Sequence, residues 1–130
     1  MLAVDTNVVV RYLTNDEPAQ ARAARKLIDG TDVKLLISVL LETEWVLRSL
    51  YEFPDERVHA ALVAFVGLET VKVEHPTRVA TALDWFVQGI DLADALHLAG
   101  ADDCEAFATF DKRFAASARK IGAGNTRLVD

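Results

Sequence analysis

A chain of 130 residues with a hydrophobic fraction of 52% has the size and composition of one ordinary globular domain. No apolar stretch reaches the roughly 20 residues needed to cross a bilayer, and the N-terminus shows neither the basic start nor the small-residue cleavage site of a signal peptide, so no membrane partner is expected. The net charge of −6 opposes a broad nucleic-acid surface, although Arg11, Arg48, Lys112 and Arg113 remain for local phosphate contacts if gathered acids are neutralised by a divalent cation.

Leu2 to Val4 is a short buried strand, stopped by Asp5, with Thr6 and Asn7 as helix-capping residues and Val8 to Leu13 as the helix behind them. Asp16-Glu-Pro18 opens a second helix that ends at Gly30. Leu35 to Val39 reads as a second strand and Leu40 to Tyr51 as an amphipathic helix. A helix from Pro54-Asp55 to about Gly67, a strand at Thr70 to Val73 and a helix from Pro76 through Val87 follow. Gly89 breaks that helix, and Asp91 to Ala101 forms the next. Ala106 to Thr109, Asp111 to Ile121 and Leu128-Val129 give a strand, a helix and a last edge strand. Strands alternating with helices predict an α/β fold with a parallel sheet covered on both faces, the first strand being central. Trp45, Trp85, Phe86, Phe107, Phe110 and Phe114 are expected in the core. Cys104, the one cysteine, excludes an internal disulfide and a Cys-rich zinc site; it is expected to be buried and fits a reducing, cytoplasmic setting.

The acids carry the chemistry. Asp5 stands where a buried strand ends and a helix begins, the place where open α/β sheets bind ligands. It has three readings: metal ligand, nucleophile or turn residue. The nucleophile reading is weakened because position 7 is Asn, not the second Asp of aspartyl phosphatases. Glu42 and Glu44 are about 200° apart on a helix, so only one can face a given site. Glu44 has Arg48 four residues on and reads as half of a surface pair, which leaves Glu42 as the site acid. Asp91 and Asp94 suit a helix start, and Asp111 suits another; capping and metal binding are compatible there. His97, three residues after Asp94, reads as structural or exposed. No Gly-rich phosphate loop and no His-Glu-x-x-His are present.

Val4-Asp-Thr-Asn-Val8, Ser38-Val-Leu-Leu-Glu-Thr-Glu-Trp-Val-Leu-Arg48, Asp91-Leu-Ala-Asp-Ala-Leu-His97 and Thr109-Phe-Asp111, in this order, resemble the acidic motifs of PIN-domain ribonucleases, most closely the VapC toxins of VapBC toxin–antitoxin systems. The resemblance covers essentially the whole chain and implies one PIN domain over residues 1–130. It implies a three-layer α/β/α sandwich with a five-stranded parallel sheet in the order 3-2-1-4-5. It puts the family's catalytic, metal-binding acids on Asp5, Glu42, Asp94 and Asp111, with Thr6, Asn7, Thr109 and Asp91 supporting them. The implied activity is Mg²⁺- or Mn²⁺-dependent hydrolysis of RNA phosphodiesters, leaving 5′-phosphate and 3′-hydroxyl ends. The implied partners are the RNA substrate, a cognate VapB-type antitoxin and a second copy in a homodimer. Two other readings stand beside this one: a PIN-fold RNA-processing nuclease outside a toxin–antitoxin pair, and a non-catalytic acidic binding module.

Overall fold

The computed structural model describes residues 1–130, which divide into two compact units, Met1–Pro76 and Thr77–Asp130. The first holds β1 (Leu2–Ala3), α1 (Thr6–Leu13), α2 (Pro18–Gly30), β2 (Val33–Leu35), α3 (Ile37–Ser49), α4 (Asp55–Val66) and β3 (Val71–Val73). The second holds α5 (Pro76–Val87), α6 (Leu92–Gly100), β4 (Phe107–Thr109), α7 (Lys112–Lys120) and β5 (Thr126–Leu128). The fold is helix-rich α/β with parallel strands.

All strand pairs are parallel, but they form two sheets rather than one. The first has the order β1-β2-β3, with Leu2 beside Val33 and Val33 beside Val71. The second pairs β4 with β5, Phe107 opposite Thr126 and Thr109 opposite Leu128. β1 therefore has one strand neighbour, where the sequence predicted two, and Leu2 is 57% exposed. A two-residue strand offers few backbone groups for a second ladder, so hydrogen bonding stops at its far side.

In the first unit the apolar stripe of each helix is buried: Val9 and Val10 of α1, Ala21, Ala24 and Ile28 of α2, Leu40 and Leu47 of α3, and Val58, Leu62 and Phe65 of α4. Tyr12 of α1 meets Phe65 edge to face, with centroids 5.4 Å apart. The run Leu35 to Val39, expected as one strand, is divided: Leu35 closes β2 and Ile37 opens α3. The divider lies outside the run. Leu36, the N-cap residue, has no capping oxygen, and the Glu74 carboxylate accepts the Ile37 N–H at 2.8 Å. A cap supplied from 37 positions away leaves no local mark in the sequence.

In the second unit Val79, Leu83 and Phe86 of α5, Leu92, Leu96 and Leu98 of α6, and Phe114 of α7 are buried. Gly124 turns the chain into β5 at φ +56°, and a Cβ there would come within 2.8 Å of the Leu98 side chain, so this position requires glycine. The aromatic expectations divide. Phe86 and Phe114 are buried and Trp85 and Phe107 half-buried, but Trp45 is 51% and Phe110 78% exposed. Trp45 lies on the side of α3 away from Leu40 and Leu47, and Phe110 stands in the bend after β4. Cys104 is also exposed; it sits in a turn between α6 and β4, where its thiol approaches the Asp103 carboxylate at 3.5 Å. That hydrogen bond and the adjacent negative charge push the thiol pKa up.

Candidate functional site

The candidate acids occur in both units, and each unit assembles its own share. In the first, Asp5 ends the segment after β1 and is itself the N-cap of α1, at φ −80° and ψ 159°. Its carboxylate accepts the Thr6 N–H at 2.8 Å, and its carbonyl accepts the N–H groups of Val8 and Val9. The cap is thus one residue earlier than the Thr6-Asn7 pair expected from the sequence. Thr6 is buried and does something else: its hydroxyl donates a short hydrogen bond to the Glu42 carboxylate on α3. One residue therefore offers its N–H to Asp5 and its O–H to Glu42, although the two acids are far apart along the chain. Asn7 makes no hydrogen bond to either; with Val8 and Arg11 it lines a groove of about 270 Å³ beside α2.

Glu44 pairs with Arg48 as its spacing predicts, Nε to Oε2 at 2.8 Å. Only half of the pair is on the surface as expected: Arg48 is exposed, but Glu44 is only 3% exposed. The arc of α3 that buries Leu40, Thr43 and Leu47 takes Glu44 with it and leaves Glu42 exposed. Arg11 is likewise engaged. Its guanidinium donates to Gln20 at 2.8 Å and to the Tyr51 hydroxyl at 3.1 Å, and it lies 3.5 Å from Asp16. Tyr51 donates in turn to Asp16, and this bond, ahead of Thr14 and Arg11, holds the Asp16 carboxyl below its usual range.

In the second unit Asp91, Asp94 and Asp111 line one cleft of about 160 Å³ together with Arg113 and Ser117. Gly89, at φ +105°, turns the chain out of α5 so that Asp91 can cap α6, its carboxylate accepting the Asp94 N–H at 3.3 Å. Asp111 caps α7 by accepting the Phe114 N–H at 2.9 Å. Thr109, at the end of β4, accepts the Asp111 N–H at 3.0 Å through its hydroxyl and so fixes the backbone that presents this acid. Asp94 is half-buried at the first turn of α6. Burial raises its pKa, and the negative charges of Asp91 and Asp111 raise it further, while His97 opposes the shift. His97 is exposed and stacks on Phe107, with centroids 6.2 Å apart and planes 18° from parallel. Another cavity of this unit, about 420 Å³ beside Trp85, Leu98 and Cys104, contains none of the candidate site acids.

A PIN domain family model matches residues 2–120. The chain belongs to the PIN domain family. PIN domains are generally nucleases. The matched region includes Asp5, Glu42, Asp91, Asp94 and Asp111, while β5 lies beyond it. No curated protein matches the chain.

For a PIN domain the question is whether these acids suit a metal. No three or more His, Cys, Asp or Glu side chains lie close enough together to hold an ion as they stand. Chemically the donor set fits a hard divalent cation: the cleft offers carboxylate and hydroxyl oxygens and no thiolate. The pKa of Asp94 is raised first by burial and then by the negative charges of Asp91 and Asp111, and a bound cation would offset the second of these. Sequence reasoning did not single out Ser117. It lies four residues after Arg113, one helical turn along the same face, and that spacing was its only sequence signal.

Proposed function

We propose that this PIN domain is a divalent-metal-dependent endoribonuclease and the toxin component of a type II toxin–antitoxin system of the VapBC kind. The observation that carries the reading is the cleft lined by Asp91, Asp94 and Asp111 beside Arg113, inside a PIN-family match. The fold that goes with it is a three-layer α/β/α sandwich over residues 1–130 in the strand order 3-2-1-4-5. The ladders β1-β2-β3 and β4-β5 supply the two segments that such an order needs, and the family match runs through both units.

In this reading Asp5, Asp94 and Asp111 hold Mg²⁺ or Mn²⁺, and Glu42 orients the attacking water. When bound, the cation supplies Lewis acidity and lowers the pKa of its water. The chain's own residues do the positioning. Thr6 holds Glu42 and Asp5 in register, Thr109 and Asp91 fix the backbones of Asp111 and Asp94, and Asn7 borders the same helix start. Arg113 gives the cleft a positive group for a scissile phosphate. Water adds to phosphorus, the P–O3′ bond breaks, and the 3′ oxygen leaves with a proton, giving 5′-phosphate and 3′-hydroxyl ends. The partners are RNA, a VapB-type antitoxin and a second copy in a homodimer, and the setting is the cytoplasm. Exposed Trp45, Leu50 and Val63 give apolar surface to protein partners. No helix is long and apolar enough to cross a membrane.

The test is cleavage of end-labelled RNA by purified wild-type and Asp5→Asn protein with Mn²⁺, with Mg²⁺ and with EDTA. The variant should fold and lose about 100-fold or more of the activity, and EDTA should abolish it. Cleavage indifferent to both would overturn the mechanism. Expression of the wild type alone should arrest growth, relieved by the product of an adjacent short gene; cleavage without growth arrest would assign the nuclease to RNA processing.

A further inference from the structure

We propose that Phe110 and the basic face of α7 form the track along which single-stranded RNA reaches the acidic cleft, Phe110 stacking a nucleobase and the α7 cations holding phosphates. This rests on the nuclease reading above and adds to it a residue that discriminates single from double strands.

The three phenylalanines around β4 are treated differently. Phe107 and Phe114 meet edge to face, with centroids 6.0 Å apart, and Phe107 also stacks on His97. Phe110 has no ring partner and is 78% exposed. The alternation of β4 carries on into the bend that follows it: Phe107 and Thr109 are half-buried, whereas Ala108 and Phe110 are exposed. The ring stands one residue before Asp111, a wall of the cleft, so its Cα lies about 3.8 Å from that acid's Cα. An exposed aromatic ring so close to the acids forfeits the burial its neighbours gain.

The second observation is charge. In a chain of net charge −6, the nine residues of α7 carry Lys112, Arg113, Arg119 and Lys120 and no acid. At about 100° per residue all four fall within an arc of roughly 120°, with Ala116 between them. Phe114, Ala115 and Ala118, which are buried, occupy the other side. The ion pairs of the structure engage Arg11, Arg48 and Arg127, and none of the α7 cations. A row of unpaired cations about 12 Å long, with an exposed ring at its start and Arg113 inside the cleft, matches a phosphate backbone whose bases are free to stack. Bases in a duplex already stack on one another, so a duplex could use the cations but not Phe110.

The experiment measures binding, not cleavage. A single-stranded oligoribonucleotide of about ten residues, carrying one 2-aminopurine, is titrated with Asp5→Asn protein in EDTA, alone and combined with Phe110 variants. Phe110→Ala should weaken binding about tenfold and remove the stacking quench of 2-aminopurine. Phe110→Trp should keep both, and Phe110→Leu should behave like Phe110→Ala. Replacing Lys112 and Lys120 with Gln should lower the slope of log K against log salt by about 0.7 for each phosphate no longer neutralised. The proposal is overturned if Phe110→Ala binds as tightly as its parent, if Phe110→Leu quenches as well as Phe110→Trp, or if a duplex of the same sequence depends equally on Phe110. Cleavage by the wild type decides the nuclease reading separately. RNA that is cleaved without dependence on Phe110 removes only this inference, and RNA that is bound through Phe110 but never cleaved removes only the nuclease.

Discussion

Thr6 gives one donor to Asp5 and another to Glu42, whereas the carboxylate of Asp94 accepts no hydrogen bond and faces the negative charges of Asp91 and Asp111. The first unit holds Asp5 and Glu42 by donors that the fold supplies; the second holds Asp91 and Asp111 by helix-cap N–H groups and leaves Asp94 half-buried, with no donor and with their charges facing it. Fixed donors set the orientation of a carboxylate, and crowding sets its appetite for a counter-ion. In the proposed nuclease Asp5 and Glu42 are aimed by their donors, and Asp94 has most to gain from a cation.

The widest break in that comparison should come from the two glutamates of α3. Glu42→Gln should cost cleavage about 100-fold while leaving the urea midpoint almost unchanged, because Glu42 is exposed. Glu44→Gln should do the reverse, with cleavage within about twofold and a stability loss of about 1–3 kcal/mol from the broken buried end of its pair with Arg48. If Glu44→Gln is the inactive one, the choice between them is wrong.

A smaller effect is expected at Thr6. Thr6→Val keeps the backbone N–H that Asp5 accepts and removes the hydroxyl that Glu42 accepts. Cleavage should fall about tenfold and stability by about 1 kcal/mol, with Thr6→Ser restoring both. An unchanged rate in Thr6→Val would show that Glu42 needs no such hold.

The smallest effect, and the one that tests the burial and charge around a carboxylate, is at Asp94. A carboxyl whose pKa is raised on folding contributes stability that is complete below its ordinary value of 3.8 and is lost as pH rises through the folded value. Above that value the charged group opposes folding. Asp94→Asn should therefore raise the urea midpoint slightly near neutral pH, and the advantage should vanish in acid. Added Mn²⁺ should stabilise the wild type more than the variant. A midpoint that falls at neutral pH would mean that the charge of Asp94 is already compensated, and the contrast between the units would lose its physical basis.

Much of the local structure was legible because its causes are local. Pro18, Pro76 and Gly89 marked helix boundaries correctly, and the short runs Thr70 to Val73 and Ala106 to Thr109 contain strands; of Leu2 to Val4, read as buried, only Leu2–Ala3 is a strand, and both of its residues are exposed. The i to i+4 spacing of Glu44 and Arg48 gave a pair that the structure contains. Errors occurred where the deciding partner is remote. Leu35 to Val39 read as one strand because the Glu74 carboxylate that caps α3 is far along the chain. Trp45, Phe110 and Cys104 read as core because composition carries no information about which side of an element faces out.

By itself the sequence determined that acids stand at strand ends and helix starts, since capping preference and apolar periodicity act over a few residues. Only the tertiary structure decided which acids share a hydroxyl, which share a cleft and which is taken into the core. Those outcomes depend on how α1 meets α3 and how α6 and α7 present their first turns, and such packing brings together groups that no spacing along the chain relates.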